Sequence, residues 1–113
     1  REGRYSYYQE NLGRILACTA AFAVSDVYAA EFMHFLMERG ISVPEKMSVV
    51  GFDDNALCES CFPRLTTVGQ DAGERARMAV RALRELRAGN VAPVEEMLPV
   101  KLIIRDSVAR HTR

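Results

Sequence analysis

The chain has 113 residues, 49% of them hydrophobic, and its 15 Lys and Arg balance 15 Asp and Glu. This length fits one domain or part of one, and a net charge of zero excludes the global positive field that would hold nucleic acid or an acidic membrane surface, so any contact with DNA must be made elsewhere. No apolar run reaches the roughly 20 residues of a membrane span, no signal-peptide core follows Arg1, and the odd number of three cysteines favours a cytoplasmic protein over a secreted, disulfide-bonded one.

The first half of the chain alternates helical and strand patterns. Apolar residues recur on one face of a predicted helix that ends near Ala17: Tyr5, Tyr8, Leu12, Ile15 and Leu16. Residues 20–24 form a short apolar run without polar alternation, which is typical of a strand buried on both faces of a parallel sheet. Ser25 or Asp26 then caps a helix that runs to Arg39, and Gly40 lies where a left-handed C-cap belongs.

The second half continues this alternation. Residues 47–52 predict a second buried strand, residues 53–62 an irregular segment or a single helical turn, and residues 65–68 a short strand after the break at Pro63. A helix is predicted from Asp71 to residues 89–90, and a last strand over residues 98–104. The order indicates an α/β fold, an open parallel sheet with helices on both faces and right-handed crossovers.

Polar side chains follow three of the predicted strands. They are Ser25 and Asp26 after the first, Asp53, Asp54 and Asn55 after the second, and Gln70 and Asp71 after the third. Ligands of parallel sheets bind outside the carboxyl ends of the strands, so we expect these residues to share one crevice. Asp53 can accept hydrogen bonds from two hydroxyl groups of a polyol, or it can form a turn. Asp54 and Asn55 are interpreted as turn residues, and because successive side chains point in opposite directions, a metal ion held by both aspartates is disfavoured.

Other chemical motifs are weak. Cys58 and Cys61 form a C-x-x-C pair, but zinc needs two further ligands, and Cys18, His34 and His111 lack a suitable spacing. No phosphate loop or catalytic signature is present, so we expect no enzyme, metal or cofactor. The arginines between residues 75 and 87 indicate a solvated helix face rather than a nucleic-acid site, because most of them fall away from the apolar face and glutamates intervene.

The helix over residues 27–39 is more apolar than one sheet face requires. Its apolar arc spans about 220°, roughly twice the usual width, and the excess consists of Tyr28, Phe32 and Phe35. Two interpretations remain open at this point. A neighbouring helix of the same domain covers this aromatic stripe, or the stripe forms a subunit interface, where Tyr and Phe are enriched.

Four motifs in order carry a resemblance to a known family. They are SDVYA from Ser25, RGISVPEKMSVVGFDDN from Arg39, FPRLTTVGQ from Phe62 and LPVKLIIRDS from Leu98. In content and spacing they resemble the C-terminal effector-binding subdomain of the LacI/GalR transcriptional regulators. The resemblance implies a periplasmic-binding-protein-like fold of type I and a cytoplasmic, dimeric repressor-type regulator that senses a sugar or related metabolite. The helix-turn-helix, hinge and first sensor subdomain of that family are not in residues 1–113, so operator DNA would be bound by a domain outside this chain.

The resemblance also implies site residues. The first aspartate of the G-[FY]-D-D motif contacts the effector in that family, and it corresponds to Asp53 here. The polar residue of the S-D pair lines the pocket and corresponds to Ser25, while Gln70 and Asp26 are further expected ligand contacts, although Asp26 also suits a helix cap. Ala72 stands where some members place an aromatic ring, so the resemblance does not extend to stacking on a sugar ring, and the sequence does not identify the ligand.

The family's dimers pair through the second helix and the segment after the G-[FY]-D-D motif. The resemblance therefore implies a two-fold contact made by Tyr28, Phe32, Phe35, Leu57, Cys61 and Phe62. Two alternative functions stay open. One is an extracytoplasmic sugar-binding protein of the same fold. The other is a phospho-receiver or hydrolase that uses Asp53, which would need a further acidic pair to hold Mg²⁺, and only Asp26 is on offer.

Overall fold

The computed structural model of the chain describes residues 1–90 and 95–111. Helices and strands alternate as α1 (Glu2–Glu10), α2 (Leu12–Leu16), β1 (Ala20–Phe22), α3 (Asp26–Glu38), β2 (Ser48–Asp53), α4 (Leu57–Ser60), β3 (Thr66–Gln70), α5 (Ala72–Arg87) and β4 (Val100–Ile103). The predicted first helix is divided in two at Asn11. Within the described ranges, none of the helices combines the length and apolar character needed to span a membrane.

The strands form one open sheet in the order β1-β2-β3-β4. β1 to β3 run parallel, and β4 runs antiparallel to β3. The α/β prediction is confirmed, but the sheet is mixed rather than fully parallel. The reason lies in the register: Gln70, the last residue of β3, pairs with Val100, the first residue of β4. The chain thus leaves β3 and enters β4 at the same ends of the two strands, so β4 runs in the direction opposite to β3.

The core lies between α3 and one face of the sheet. Its largest side chains are all below 2% exposure and include Phe35, Met33 and Leu36 of α3 with Met47 and Leu65 beside the strands. The prediction that residues 20–24 are buried on both faces is wrong, because Phe22 is 64% and Val24 75% exposed. β1 is an edge strand, and no element in the described part of the chain covers the outer side of these two residues.

Helix α1 covers the aromatic stripe of α3. The Tyr8 ring centroid lies 5.1 Å from those of both Phe32 and Phe35, and the Tyr5 centroid lies 5.3 Å from that of Phe35. Phe32 is 8% and Phe35 0% exposed, whereas Tyr28 remains 41% exposed. The placement of Phe32 and Phe35 in a subunit contact is therefore corrected. A helix of the same domain buries them, which was the other open interpretation.

Helix α5 stands apart from this core. None of its residues is buried, and the apolar side chains Val80, Leu83 and Leu86 are 49%, 65% and 55% exposed. Its amphipathic pattern is nevertheless clear, since these side chains recur at helical spacing on one face. In the part of the chain that the structure describes, α5 therefore has an apolar face without a partner.

Candidate functional site

The polar residues of the predicted crevice lie at the carboxyl ends of the three parallel strands. Asp53 ends β2 and pairs in register with Gly69, which precedes Gln70 at the end of β3. Gln70 Nε2 donates to Asp53 Oδ1 at 3.3 Å. Ser25 follows the neighbouring strand β1, and its hydroxyl accepts a hydrogen bond from Tyr28 N as the N-cap of α3. The structure thus brings Asp53 and Gln70 into contact and places Ser25 at the exit of the adjacent strand.

The backbone at Asp53 and Asp54 is strained. Their φ angles are 110° and 57°, and residues with a Cβ rarely adopt positive φ, at a cost of about 1–3 kcal/mol each. Such a conformation persists only where neighbours impose it. Here Asp54 N donates to Thr67 Oγ1 at 3.4 Å and Asn55 N donates to Asp26 Oδ2 at 2.6 Å. The turn leaves the Asp53 carboxylate exposed at the rim.

Asp26 supports this turn from below. It is 1% exposed, and Thr67 Oγ1 donates to its Oδ1 at 2.5 Å while Asn55 N donates to its Oδ2. A Cβ at Gly51 would collide with the Asp26 carboxylate, so glycine is required there for close approach. The structure does not bring Asp26 to the crevice surface as a ligand contact. Its two oxygens are engaged by protein groups, which also removes it from the acidic pair that a phospho-receiver needs.

The Cys58 thiol lies against Asp26. Burial, together with the hydrogen bond to the Asp26 carboxylate, raises the pKa of Cys58 to about 12, so the thiol stays protonated at neutral pH and can donate to the carboxylate. Burial also raises the pKa of Cys61, whose Sγ donates to the carbonyls of Cys58 and Pro63. Neither cysteine is in a disulfide. Across the two described ranges, no three His, Cys, Asp or Glu side chains are grouped to hold a metal ion.

Arg105, which the sequence interpretation missed, ties the end of β4 to the turn. Its side chain is 10% exposed, and it donates to Asp54 Oδ1 at 2.7 Å, to Glu59 Oε1 at 3.1 Å and to the Leu65 carbonyl at 2.8 Å. Its backbone N–H donates to Thr66 Oγ1 at 2.9 Å. Its place directly after the apolar run of the LPVKLIIRDS motif does not distinguish a buried arginine from an exposed one.

The remaining residues of the predicted two-fold contact lie at and after α4. Leu57 and Cys61 are half-buried against the core, while Phe62 is 88% exposed. Tyr28 packs its ring under the Arg4 guanidinium, whose carbon lies 4.9 Å from the ring centroid. Phe62 is thus the most accessible aromatic side chain of the predicted set.

An open α/β sheet with polar residues at the exits of its parallel strands is the arrangement in which ligands commonly bind. Residues 2–108 match the family profile described as a periplasmic binding protein-like domain. The chain belongs to this family, in the form carried by the LacI/GalR transcriptional regulators.

Individual relatives agree with this assignment. The HTH-type transcriptional regulator DegA of Bacillus subtilis is 38% identical over 108 residues, which cover 89% of this chain and 31% of DegA. The chain thus spans less than a third of that relative. The lac repressor dimer bound to operator and the anti-inducer ONPF superposes with a TM-score of 0.82 at 28% identity, covering 94% of this chain and 37% of the repressor chain. The complex of the transcriptional regulator CelR with cellobiose gives a TM-score of 0.81 at 32% identity, covering 91% and 32%.

Proposed function

We propose that this chain is the second lobe of the effector-sensing domain of a LacI/GalR-type transcriptional regulator. In this proposal the rim of Asp53, Gln70 and Ser25 binds a small polar effector, a sugar or related metabolite. The observation that carries the proposal is the contact between Asp53 and Gln70 across adjacent strand ends, with the Asp53 carboxylate exposed on a strained turn. The neighbours CelR–cellobiose and the lac repressor, described with cellobiose and with an anti-inducer respectively, support the ligand class.

The three rim residues have complementary roles. The Asp53 carboxylate accepts hydrogen bonds from two hydroxyl groups, and such charge-assisted bonds are stronger than neutral pairs. Gln70 holds one carboxylate oxygen, and its amide can turn to the ligand, while the Ser25 hydroxyl can donate as well as accept. The rim is only half a cleft. The apolar face of α5, unpartnered in the described part of the chain, supports a second lobe contributed by the rest of the protein.

The proposed switch is a population shift. An effector that bridges two lobes favours their closed arrangement by its differential affinity for that state. In a dimer, closure changes the relative position of DNA-binding modules, and by linkage operator DNA changes effector affinity to the same degree. We expect the full-length protein to bind operator DNA through a domain outside residues 1–113, and to do so in the cytoplasm.

The two-fold contact is placed at α4 and the segment that follows it. Phe62, Leu57 and Cys61 supply an apolar surface there, and Met37, which is 36% exposed, lies on the flank of α3 away from Glu31 and the α1 side by helical projection. This surface replaces the buried Phe32 and Phe35 in the proposed dimer. Tyr28 lies on the α1 side and is left out of it.

The proposed function is tested on the full-length protein by a thermal-shift screen of sugars and nucleosides, followed by calorimetry. Asp53→Ala is expected to weaken any effector by at least about tenfold, the equivalent of one charge-assisted hydrogen bond. Glu45→Ala is the matched control, because it removes an exposed carboxylate that precedes β2 at the opposite edge of the sheet. An effector whose affinity survives Asp53→Ala contradicts the assignment of the rim.

A further inference from the structure

Arg75 differs from Arg77, Arg81 and Arg84 in its place around α5. Taking about 100° per residue, those three lie about 120–180° from the centre of the apolar face, whereas Arg75, like Arg87 at the far end of the helix, lies only about 60° from it. Arg75 forms a column with Ala72 and Ala79, which are three and four positions away. It therefore belongs to the edge of the apolar face, not to the solvated stripe.

Arg75 is also connected to the rim. Its Nη1 donates to Gln70 Oε1 at 3.3 Å, and Gln70 Nε2 donates in turn to Asp53 Oδ1. The amide of Gln70 thus separates a cation from an anion, and its two ends are each oriented by one of them. Asp53 can therefore accept hydrogen bonds from hydroxyl groups at one end of this chain of contacts. At the other end, Arg75 donates one of its five N–H groups to Gln70.

The nearby carboxylates do not neutralise Arg75. Asp71 caps α5 by accepting from Glu74 N at 3.0 Å, and Glu74 pairs with Arg77 at 3.0 Å. Among the described residues, none of the acidic side chains lies within salt-bridge distance of Arg75. Covering the apolar face of α5 would partly desolvate this guanidinium, and a desolvated charge requires an opposite charge and hydrogen bonds. Ala72, one turn earlier in the helix, is exposed and has only a methyl side chain.

We propose that Arg75 is a specificity-determining residue that pairs with an anionic group of the effector, so that the effector is a polyhydroxylated acid, either a sugar carboxylate or a sugar phosphate. This inference rests on the proposed function and deepens it. Asp53 binds hydroxyl groups of the effector, and Gln70 hydrogen-bonds to both Asp53 and Arg75. The Arg75 guanidinium forms a bidentate contact with carboxylate or phosphate oxygens.

The test uses the full-length protein and matched probe sets in which only the charged group changes. The sets are D-glucose with D-glucuronate and glucose phosphate, D-galactose with D-galacturonate and galactose phosphate, and D-ribose with ribose phosphate. Calorimetry is expected to give an anionic member of one set a Kd at least about tenfold below that of its neutral parent. This ratio shrinks as salt is added. Comparing the Kd of the carboxylate probe with that of the phosphate probe shows which anion the site prefers.

Variants assign the charge preference to this residue. Arg75→Met keeps an unbranched apolar stem without the guanidinium and is expected to weaken the anionic probe by about tenfold while leaving the neutral parent unchanged, and Arg75→Lys restores part of the loss. Arg81→Met, on the solvated face, is the matched control and changes neither. A neutral parent that binds as tightly as its acid, or an Arg75→Met variant with unchanged affinity for the acid, overturns the inference.

The same titrations separate this inference from the proposed function. If the protein binds neutral and anionic sugars equally well and Asp53→Ala abolishes that binding, the role of Arg75 is contradicted and the proposed function is not. Binding that is unchanged by Asp53→Ala contradicts the rim itself. A lack of binding by every probe in the three sets overturns the inference about Arg75, whereas the proposed function is decided by the broader thermal-shift screen.

Discussion

Three aspartates lie close together in the fold, and each has a different environment. Asp26 is 1% exposed with both oxygens engaged. Asp54 is held by Arg105. Asp53 is exposed, and Gln70 at 3.3 Å is its hydrogen-bond partner. A buried carboxylate must be satisfied by protein groups, whereas an exposed one is free to exchange water for ligand. This difference supports the choice of Asp53 in the proposed function.

The strained turn predicts a trade-off between stability and binding at Asp53. Asp53→Gly releases the strain of φ 110°, and we expect it to be about 1 kcal/mol more stable than Asp53→Ala, after allowance for the greater freedom of glycine in the unfolded chain. Both variants lose the carboxylate equally, so the difference isolates the backbone. Urea unfolding of the two proteins measures it. Equal midpoints would show that the turn stores no strain.

Single residues were predictable where a local pattern decides their position. Asp53 and Gln70 end apolar strands that run in parallel, so their proximity followed from periodicity and topology. Arg105 could not be placed in this way, because an arginine after a strand has the same pattern whether it faces water or is buried. Its partners Asp54 and Glu59 lie 51 and 46 positions earlier in the chain, and only the tertiary fold brings them together.

At the scale of elements, α1 and α3 bury each other's aromatic side chains. The sequence showed that α3 has more apolar surface than the sheet can cover, but it could not show which element covers the excess, because a domain helix and a subunit present similar apolar surfaces. α1 does so with Tyr5 and Tyr8. Arg4 adds an ion pair from α1 to Glu31 of α3 at 2.9 Å.

This packing predicts a specific loss of stability. Tyr8→Ala removes a half-buried ring that contacts Phe32 and Phe35, and we expect it to lower the free energy of unfolding by about 2 kcal/mol, below the 3–5 kcal/mol of a fully buried aromatic ring. Tyr7→Ala is the matched control, because Tyr7 is 60% exposed, and a change within about 0.5 kcal/mol is expected. Thermal or urea unfolding compares them. Equal losses would mean that α1 does not dock on α3 in solution.

At the scale of the whole molecule, the exposed apolar surfaces fall into separate regions. The outer side of β1, the apolar face of α5 and the Phe62 region are all accessible in the part of the chain that the structure describes. The first two adjoin the proposed effector cleft or its sheet. Phe62 follows α4, which packs against α3. In the proposed function, lobe closure and dimerisation would therefore use different surfaces.

The dimer proposal predicts a change in mass. Phe62→Asp places a charge in the proposed two-fold contact, and we expect sedimentation equilibrium of the full-length protein to give a monomer, because an unpaired charge is costly to bury. Tyr7→Asp changes an exposed aromatic side chain on α1 and should leave the dimer intact. If Phe62→Asp is folded and still has the dimer mass, the contact lies elsewhere.

The pairing of Gln70 with Val100 makes residues 71–99 an excursion with adjacent ends. Paired residues of antiparallel strands lie about 4.5–5.5 Å apart at their Cα atoms, a gap that a two-residue hairpin turn can close. The pairing of β3 with β4 therefore does not require the full length of the segment that joins them. Substitutions on the exposed side of α5 can change the surface beside the strand ends and leave this pairing intact.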